Sequence, residues 1–177
     1  MVDAPGRALP RLAPLQVAAA ATRIDAALDA SDAGPGDIAL TQGAAGGDIL
    51  FAEACVERGV DVRLLLPFAE SEFIARSILP SQDGEAWYAR FIALRARLAE
   101  APLEAPLALG PLAKDDDPFV RANHWLLESA LAFGPERLRC ICLWDGGGGD
   151  GPGGTRHLID AVRDAGGEVI WIDTREL

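Results

Sequence analysis

Two glycine-rich stretches of the sequence hold residues whose types and spacing suit the binding of an anion. The first covers positions 43–48 and reads GAAGGD; the second covers positions 146–155 and ends in GPGGT. Glycine lets the backbone come close to a bound group, and the first amides of a helix have no partner inside that helix. Because the helix dipole adds partial positive charge at the same place, such a turn before a helix is suited to phosphate.

Both stretches require a strand before them and a helix after them. The apolar run Asp37 to Thr41 predicts a strand, and Asp48 to Arg58 predicts a helix that Gly59 ends. Leu138 to Trp144 predicts a second strand, followed by a helix from Thr155 to Ala165. Each unit is therefore a strand, a glycine-rich turn and a helix.

The rest of the chain continues the alternation of strands and helices. The further expected elements are helices over 13–30, 71–77, 85–100 and 118–133, strands over 60–66 and 168–172, and a strand near 107–109. Such alternation predicts parallel βαβ units. We therefore expect one α/β domain over 1–177, a Rossmann-like three-layer sandwich with a mostly parallel sheet. No strand precedes the first helix, so we also expect that an N-terminal strand is missing.

The carboxyl ends of parallel strands meet at one edge of a sheet, which is where open α/β domains bind ligands. The two turns should then lie within about 10–15 Å of each other and hold the two ends of one nucleotide-like ligand. The expected ligand-binding residues are Gly43, Ala44, Ala45, Gly46, Gly47, Asp48, Asp145, Gly151, Gly153, Gly154, Thr155, Arg121, Asn123 and Arg7.

Each side chain in this set has a structural alternative. Asp145 ends a strand and is placed to meet a ribose hydroxyl, and the arginines are suited to phosphate. Arg121 and Asn123 lie at the start of a predicted helix, however, where an arginine is more often exposed to solvent than bound to a ligand. Asp48 is expected first as a helix cap. Trp144, at a strand end, is suited to core packing or to stacking on a base.

Composition excludes several classes of function. The chain of 177 residues has a net charge of −11 and no basic cluster, which argues against extended nucleic acid and against anionic membranes. No apolar run approaches the ~20 residues of a membrane span. The three cysteines have no paired spacing and indicate reduced thiols in a cytoplasmic protein. We expect no metal site, no cofactor and no catalytic residue.

The first turn carries a resemblance to a known family. A strand, the turn from Gly43 to Asp48, an Ala-rich helix, Gly59 and a strand ending in Leu66-Pro67 resemble the first nucleotide-binding turn of the SLOG superfamily. That superfamily includes the DNA-processing protein A/Smf proteins and the Lonely Guy phosphoribohydrolases. The chain also looks like an uncharacterised bacterial group of this superfamily that is associated with signalling modules. The resemblance implies a Rossmann-like fold, a nucleotide-like ligand, and a second copy or a fused signalling domain as partner.

The second turn departs from the resembling enzymes. Gly151 to Thr155 is similar to the Lonely Guy turn, but the catalytic glutamate expected three residues after the threonine is Leu158. Leucine neither transfers a proton nor stabilises a ribosyl cation. The resemblance therefore implies a nucleotide-derivative sensor without catalysis. The alternatives are an enzyme that cleaves an N-glycosidic bond or transfers a ribosyl group, and a structural module whose glycines serve only turns.

Overall fold

A computed structural model describes residues 12–147 and 154–177 of the chain. The helices are α1 (Val17–Ala30), α2 (Gly47–Glu57), α3 (Glu70–Ser77), α4 (Gly84–Arg95), α5 (Ala105–Ala108), α6 (Pro118–Leu131) and α7 (Thr155–Asp164). The strands are β1 (Ile38–Thr41), β2 (Asp61–Leu66), β3 (Leu103–Glu104), β4 (Arg139–Trp144) and β5 (Glu168–Asp173). The α/β, Rossmann-like fold predicted from the alternation is confirmed.

Helices cover both faces of the strands. On one side α1 packs on α2, and these helices also contact β4, β5, β1 and β2. On the other side α6 packs on α7, α6 contacts β1 and β2, and α7 contacts β4 and β5. Apolar strands such as β2, where Leu64, Leu65 and Leu66 are all buried, suit a sheet that is covered on both faces.

The strands form two parallel ladders instead of the one sheet that the sequence predicts. One ladder has the order β1-β2-β3, and the other pairs β4 with β5. In the first, Ile38 lies opposite Asp61; in the second, Arg139 lies opposite Glu168. Within the described ranges no strand lies between β1 and β4, so the backbone edges that these two strands turn toward each other stay unpaired.

Two predicted elements are wrong in the middle of the chain. The strand expected at 107–109 is β3 at Leu103–Glu104, and Ala105 to Ala108 form the one-turn helix α5. Pro106 lies at the start of that turn, where its missing N–H costs nothing. Helix α4 ends at Arg95, short of the expected Glu100.

Candidate functional site

A cavity of about 840 Å³ lies between the facing edges of β1 and β4. Residues of both glycine-rich turns line it: Ala44, Gly47 and Asp48 from the first turn, and Asp145, Gly147, Gly154 and Thr155 from the second. Both turns therefore border one cavity, and the expected separation of about 10–15 Å between them stays a prediction. Gly151, Gly153 and Arg7, which were expected to join them, lie outside the described residues.

Half of the first turn uses its backbone amides internally. The amide of Gly43 donates to Thr41 Oγ1 at 3.4 Å, that of Ala44 to Asp48 Oδ2 at 3.2 Å, and that of Ala45 to the Ser77 carbonyl at 3.1 Å. The anion-binding turn that the sequence predicts over 43–48 is therefore too long, because three of its six amides already have hydrogen-bond partners. The amides of positions 46–48, at the start of α2, have no partner among the described residues and are the ones that an anion can reach.

The glycines of the first turn serve different purposes. Gly43 has φ +81°, and a Cβ there would lie 3.2 Å from Leu64 Cδ2 and 3.4 Å from the ring of Phe91. Gly43 is therefore needed for packing against the core. Gly46 has φ +98° and ψ −124°, a conformation that side chains rarely allow. Gly47 begins α2, and a Cβ there would meet Leu143 of β4 at an ordinary 3.8 Å.

The second turn holds Asp145 in a defined orientation. Its Oδ1 accepts a hydrogen bond from the Gly147 amide at 2.9 Å. Gly154 is extended, at φ −74° and ψ 170°, and precedes α7 with no side-chain cap. The first amides of α7 therefore open toward the cavity that Gly154 and Thr155 line.

Helix α6 contributes one of its two predicted residues to the cavity. Asn123 is buried, lines the cavity, and accepts a hydrogen bond from Gln42 Nε2 at 2.9 Å through Oδ1. Arg121 lies elsewhere: its Nη1 donates to the Gly110 carbonyl at 3.0 Å, and it lines a separate cavity of about 350 Å³. The prediction that both residues close the same crevice is wrong for Arg121, because it lies two positions from Asn123 on the helix and faces another side.

Three features of the cavity wall were not predicted from the sequence. They are the polar residues Gln42 and Ser77 and the buried indole N–H of Trp144, which has no hydrogen-bond partner among the described residues. Gln42 follows β1 directly, which is a signal that was available in the sequence. Ser77, only 3% exposed, ends α3, and nothing in the sequence places it near Ala45. Within the described part of the chain, Ser77 Oγ and Trp144 Nε1 are buried without a hydrogen-bond partner. Both atoms are therefore buried polar groups whose hydrogen bonds are not made inside the described protein.

The charges around the cavity are unevenly placed. The carboxylates of Asp48 and Asp145 lie beyond the carboxyl ends of β1 and β4, and Arg137 and Arg139 lie at the amino-terminal end of β4. The carboxylates are placed to accept hydrogen bonds from hydroxyl groups of a ligand. Helix amides remain the anion-binding groups at this end, since no arginine or lysine of the described lining lies there.

Three thiols also line the cavity. Burial raises the pKa of Cys55 to about 12. A hydrogen bond between the thiols of Cys140 and Cys142 lowers the pKa of Cys140 and raises that of Cys142. No group of three or more metal-ligating side chains is present in the described ranges. The thiols are thus a reduced pair and a single buried group.

Leu158 lies on α7 and lines the cavity. An apolar side chain therefore borders the cavity at this position.

The comparisons of the sequence with family models and curated proteins give no relative. No protein-family model matches the chain, and no curated protein matches it. Among the helices of residues 12–147 and 154–177, none is long and apolar enough to cross a membrane.

Proposed function

We propose that the protein binds a nucleotide derivative at the carboxyl-terminal end of the cavity and acts as a ligand sensor without catalysis. The observation that carries the proposal is the convergence of two strand–turn–helix units on one cavity. Open α/β folds bind nucleotides at such a place. The resemblance of the first turn to the SLOG superfamily supports the same class of ligand.

The geometry suggests a role for each part of the wall. A phosphate would accept hydrogen bonds from the amides of 46–48 and from the start of α7. Asp48 and Asp145 would accept hydrogen bonds from ribose hydroxyls. The indole of Trp144 offers an apolar face for a base.

Sensing is favoured over catalysis because Leu158 borders the cavity. We place the sensor in the cytoplasm, where its three unpaired cysteines would stay reduced. A fused signalling domain or a second copy of the chain would respond to binding of the ligand. Release of free base from nucleoside monophosphates would instead favour an enzyme.

The test is calorimetric binding of nucleotides, ADP-ribose and cyclic dinucleotides to the chain and to Gly47→Val. The substitution adds bulk beside Leu143 in a helical conformation that valine adopts, whereas position 46 would be strained. We expect at least about a tenfold loss of affinity, which corresponds to ~1.4 kcal/mol.

The matched control is Gly34→Val, because a Cβ at Gly34 meets nothing closer than 4.0 Å and the residue lies outside the cavity wall. It should bind like the parent protein. Equal affinities for Gly47→Val and Gly34→Val, or no binding of any probe by the parent protein, would contradict the proposal.

A further inference from the structure

The two histidines of the chain lie against each other on neighbouring helices. His124 belongs to α6 and His157 to the first turn of α7, and their ring centres are 5.9 Å apart with the planes tilted by 43°. Both residues are exposed. Among the described residues, neither imidazole has a hydrogen-bond or ion-pair partner. Their ring nitrogens are therefore free to take a ligand from solution.

The spacing of the rings suits two-point binding of one metal ion. A zinc ion lies about 2.1 Å from an imidazole nitrogen and therefore about 3.2 Å from the ring centre. Two coordinated rings then have centres about 5.2 Å apart at a tetrahedral angle and up to about 6.4 Å apart on opposite sides of the ion. The observed 5.9 Å lies inside this range, so small rotations of two exposed side chains suffice.

The surroundings of His124 favour a cation. His124 borders the cavity of about 350 Å³ beside α6, whose described lining also holds three carboxylates and one arginine: Asp116, Asp117, Glu128 and Arg121. Glu128 follows His124 by one helical turn, so the two lie on one face of α6. The guanidinium of Arg121 donates to a loop carbonyl. With a net charge of −11 for the whole chain, both the local and the overall field attract positive ions.

We propose that His124 and His157 together bind one divalent transition-metal ion of the zinc, nickel or copper class. Imidazole nitrogen suits these ions, whereas magnesium and calcium require oxygen ligands. In residues 12–147 and 154–177 no group of three metal-ligating side chains is present, so water completes the coordination. The ion is therefore held by two protein ligands and exchanges with solution.

The ion would join the two halves of the sheet. Helix α6 packs on β1 and β2, whereas α7 packs on β4 and β5. Asn123, next to His124, and Thr155, two positions before His157, both line the large cavity between β1 and β4. A metal ion between α6 and α7 would therefore hold that cavity closed from outside its wall. This proposal does not rest on nucleotide binding, because its ligands are two imidazoles that do not line that cavity.

The experiment titrates ZnCl₂ into the 177-residue chain and follows the imidazole signals by NMR, the heat by calorimetry and the mass by light scattering. Because the chain has two histidines, each signal is assigned by the loss of one in His124→Asn or His157→Asn. We expect both signals to shift with one midpoint, at one Zn²⁺ per monomer. Each single variant should bind Zn²⁺ at least tenfold more weakly, and the double variant should bind no better than either.

The clamp has its own readout in the thermal midpoint. With free Zn²⁺ about a hundredfold above Kd, the midpoint of the parent protein should rise by at least about 5 °C, and those of the single variants should not. The matched control is Asp164→Asn, an exposed carboxylate about two turns further along α7, which should bind Zn²⁺ like the parent protein.

Several outcomes would overturn the proposal. Unchanged imidazole signals exclude the site, and two different midpoints mean two independent histidines. Equal affinity in the double variant assigns the ion to the thiols or to another group. A mass that doubles with Zn²⁺ means that the ion joins two chains instead of two helices. The signals of the parent protein decide the question even where a variant fails to fold, and none of these results bears on the nucleotide site.

Discussion

At the scale of single residues, the thiol pair on β4 shows how one neighbour changes the chemistry of another. Cys140 and Cys142 are two positions apart, so they lie on the same face of the strand. Their shared hydrogen bond lowers the pKa of Cys140 and raises that of Cys142. The pair therefore loses one proton more readily and holds the other more firmly. Burial keeps Cys55 protonated, with its pKa raised to about 12.

We predict that iodoacetamide modifies Cys140 first. At pH 8 its rate should exceed those of Cys55 and Cys142 by at least about tenfold, because the thiolate is the reactive form. Peptide mapping by mass spectrometry measures all three rates. In Cys142→Ala the hydrogen bond that lowers the pKa of Cys140 is lost while burial still raises it, so the pKa rises and the rate at pH 7 should fall. Faster labelling of Cys55 than of Cys140 would contradict the assignment.

Some residue roles were readable in the sequence and others were not. The small residues before α2 were correctly placed in a turn, because glycine and a following helix pattern are local signals. That Gly43 faces Leu64 and Phe91 was not readable, since those neighbours come from β2 and α4. Arg121 was placed in the wrong cavity for a similar reason: its partner is a carbonyl of a preceding loop.

At the scale of elements, the start of α6 helps to position Asn123, which forms part of the cavity wall. Asp117 precedes Pro118, and its Oδ1 accepts hydrogen bonds from the amides of Phe119 at 2.8 Å and Val120 at 2.9 Å. These are amides that the helix leaves unpaired. About one and a half turns after the start of the helix, Asn123 accepts a hydrogen bond from Gln42. The cap therefore helps to hold the first glycine-rich turn against α6.

We predict that Asp117→Ala lowers the free energy of unfolding by about 1 kcal/mol, the usual cost of a lost N-cap. Urea unfolding followed by circular dichroism measures it. The neighbouring Asp116→Ala removes an exposed carboxylate that caps no helix, and its effect should stay within about 0.5 kcal/mol. Similar losses in both variants would show that charge, not capping, is responsible.

The elements with long periodic or apolar patterns were predicted correctly, and β3 was not. Helices α1, α2, α6 and α7 and strands β1, β2, β4 and β5 were found within a few residues of their bounds. β3 has two residues and gains its strand conformation only by pairing with Leu65 and Leu66 of β2. Such a tertiary pairing leaves no pattern in a short, proline-rich segment.

At the scale of the whole molecule, the C-terminal end of the second ladder links stability to pH. Asp173 ends β5, and hydrogen bonds from Arg175 hold the pKa of Asp173 below its ordinary value. The carboxylate is thus favoured more in the folded than in the unfolded chain. Its contribution to stability is present above the unfolded pKa and is lost as the pH falls through the folded pKa.

We predict that Asp173→Asn lowers the thermal midpoint at pH 7 and that this difference shrinks as the pH falls below about 4, the ordinary pKa of aspartate. Scanning calorimetry from pH 7 to pH 2 measures it. Asp164→Asn, an exposed carboxylate at the end of α7, serves as control and should leave the midpoint nearly unchanged. A difference that stays constant down to pH 2 would contradict the linkage.

The overall fold class was predictable, but the division of the sheet was not. Alternation of strands and helices predicts parallel units, and α1, α2, α6 and α7 cover the strands as expected. Alternation does not reveal which strands are neighbours, because strand pairing depends on tertiary contacts that leave no local pattern in the sequence. The same limit applies to the site: the meeting of the two turns follows from parallel strands, whereas the contact of Ser77 with Ala45 does not.

The division into two ladders has a consequence for cooperativity. One half of the molecule contains β1, β2 and β3, and the other contains β4 and β5. In the described chain no backbone pairing joins the two halves. Helix packing couples them instead, because α1 contacts α2 as well as β4 and β5. We therefore predict that each half opens as a separate unit with its own free energy. A ligand that bridges Asp48 and Asp145 would bind only when both halves are closed, and its binding energy would add to the coupling between them.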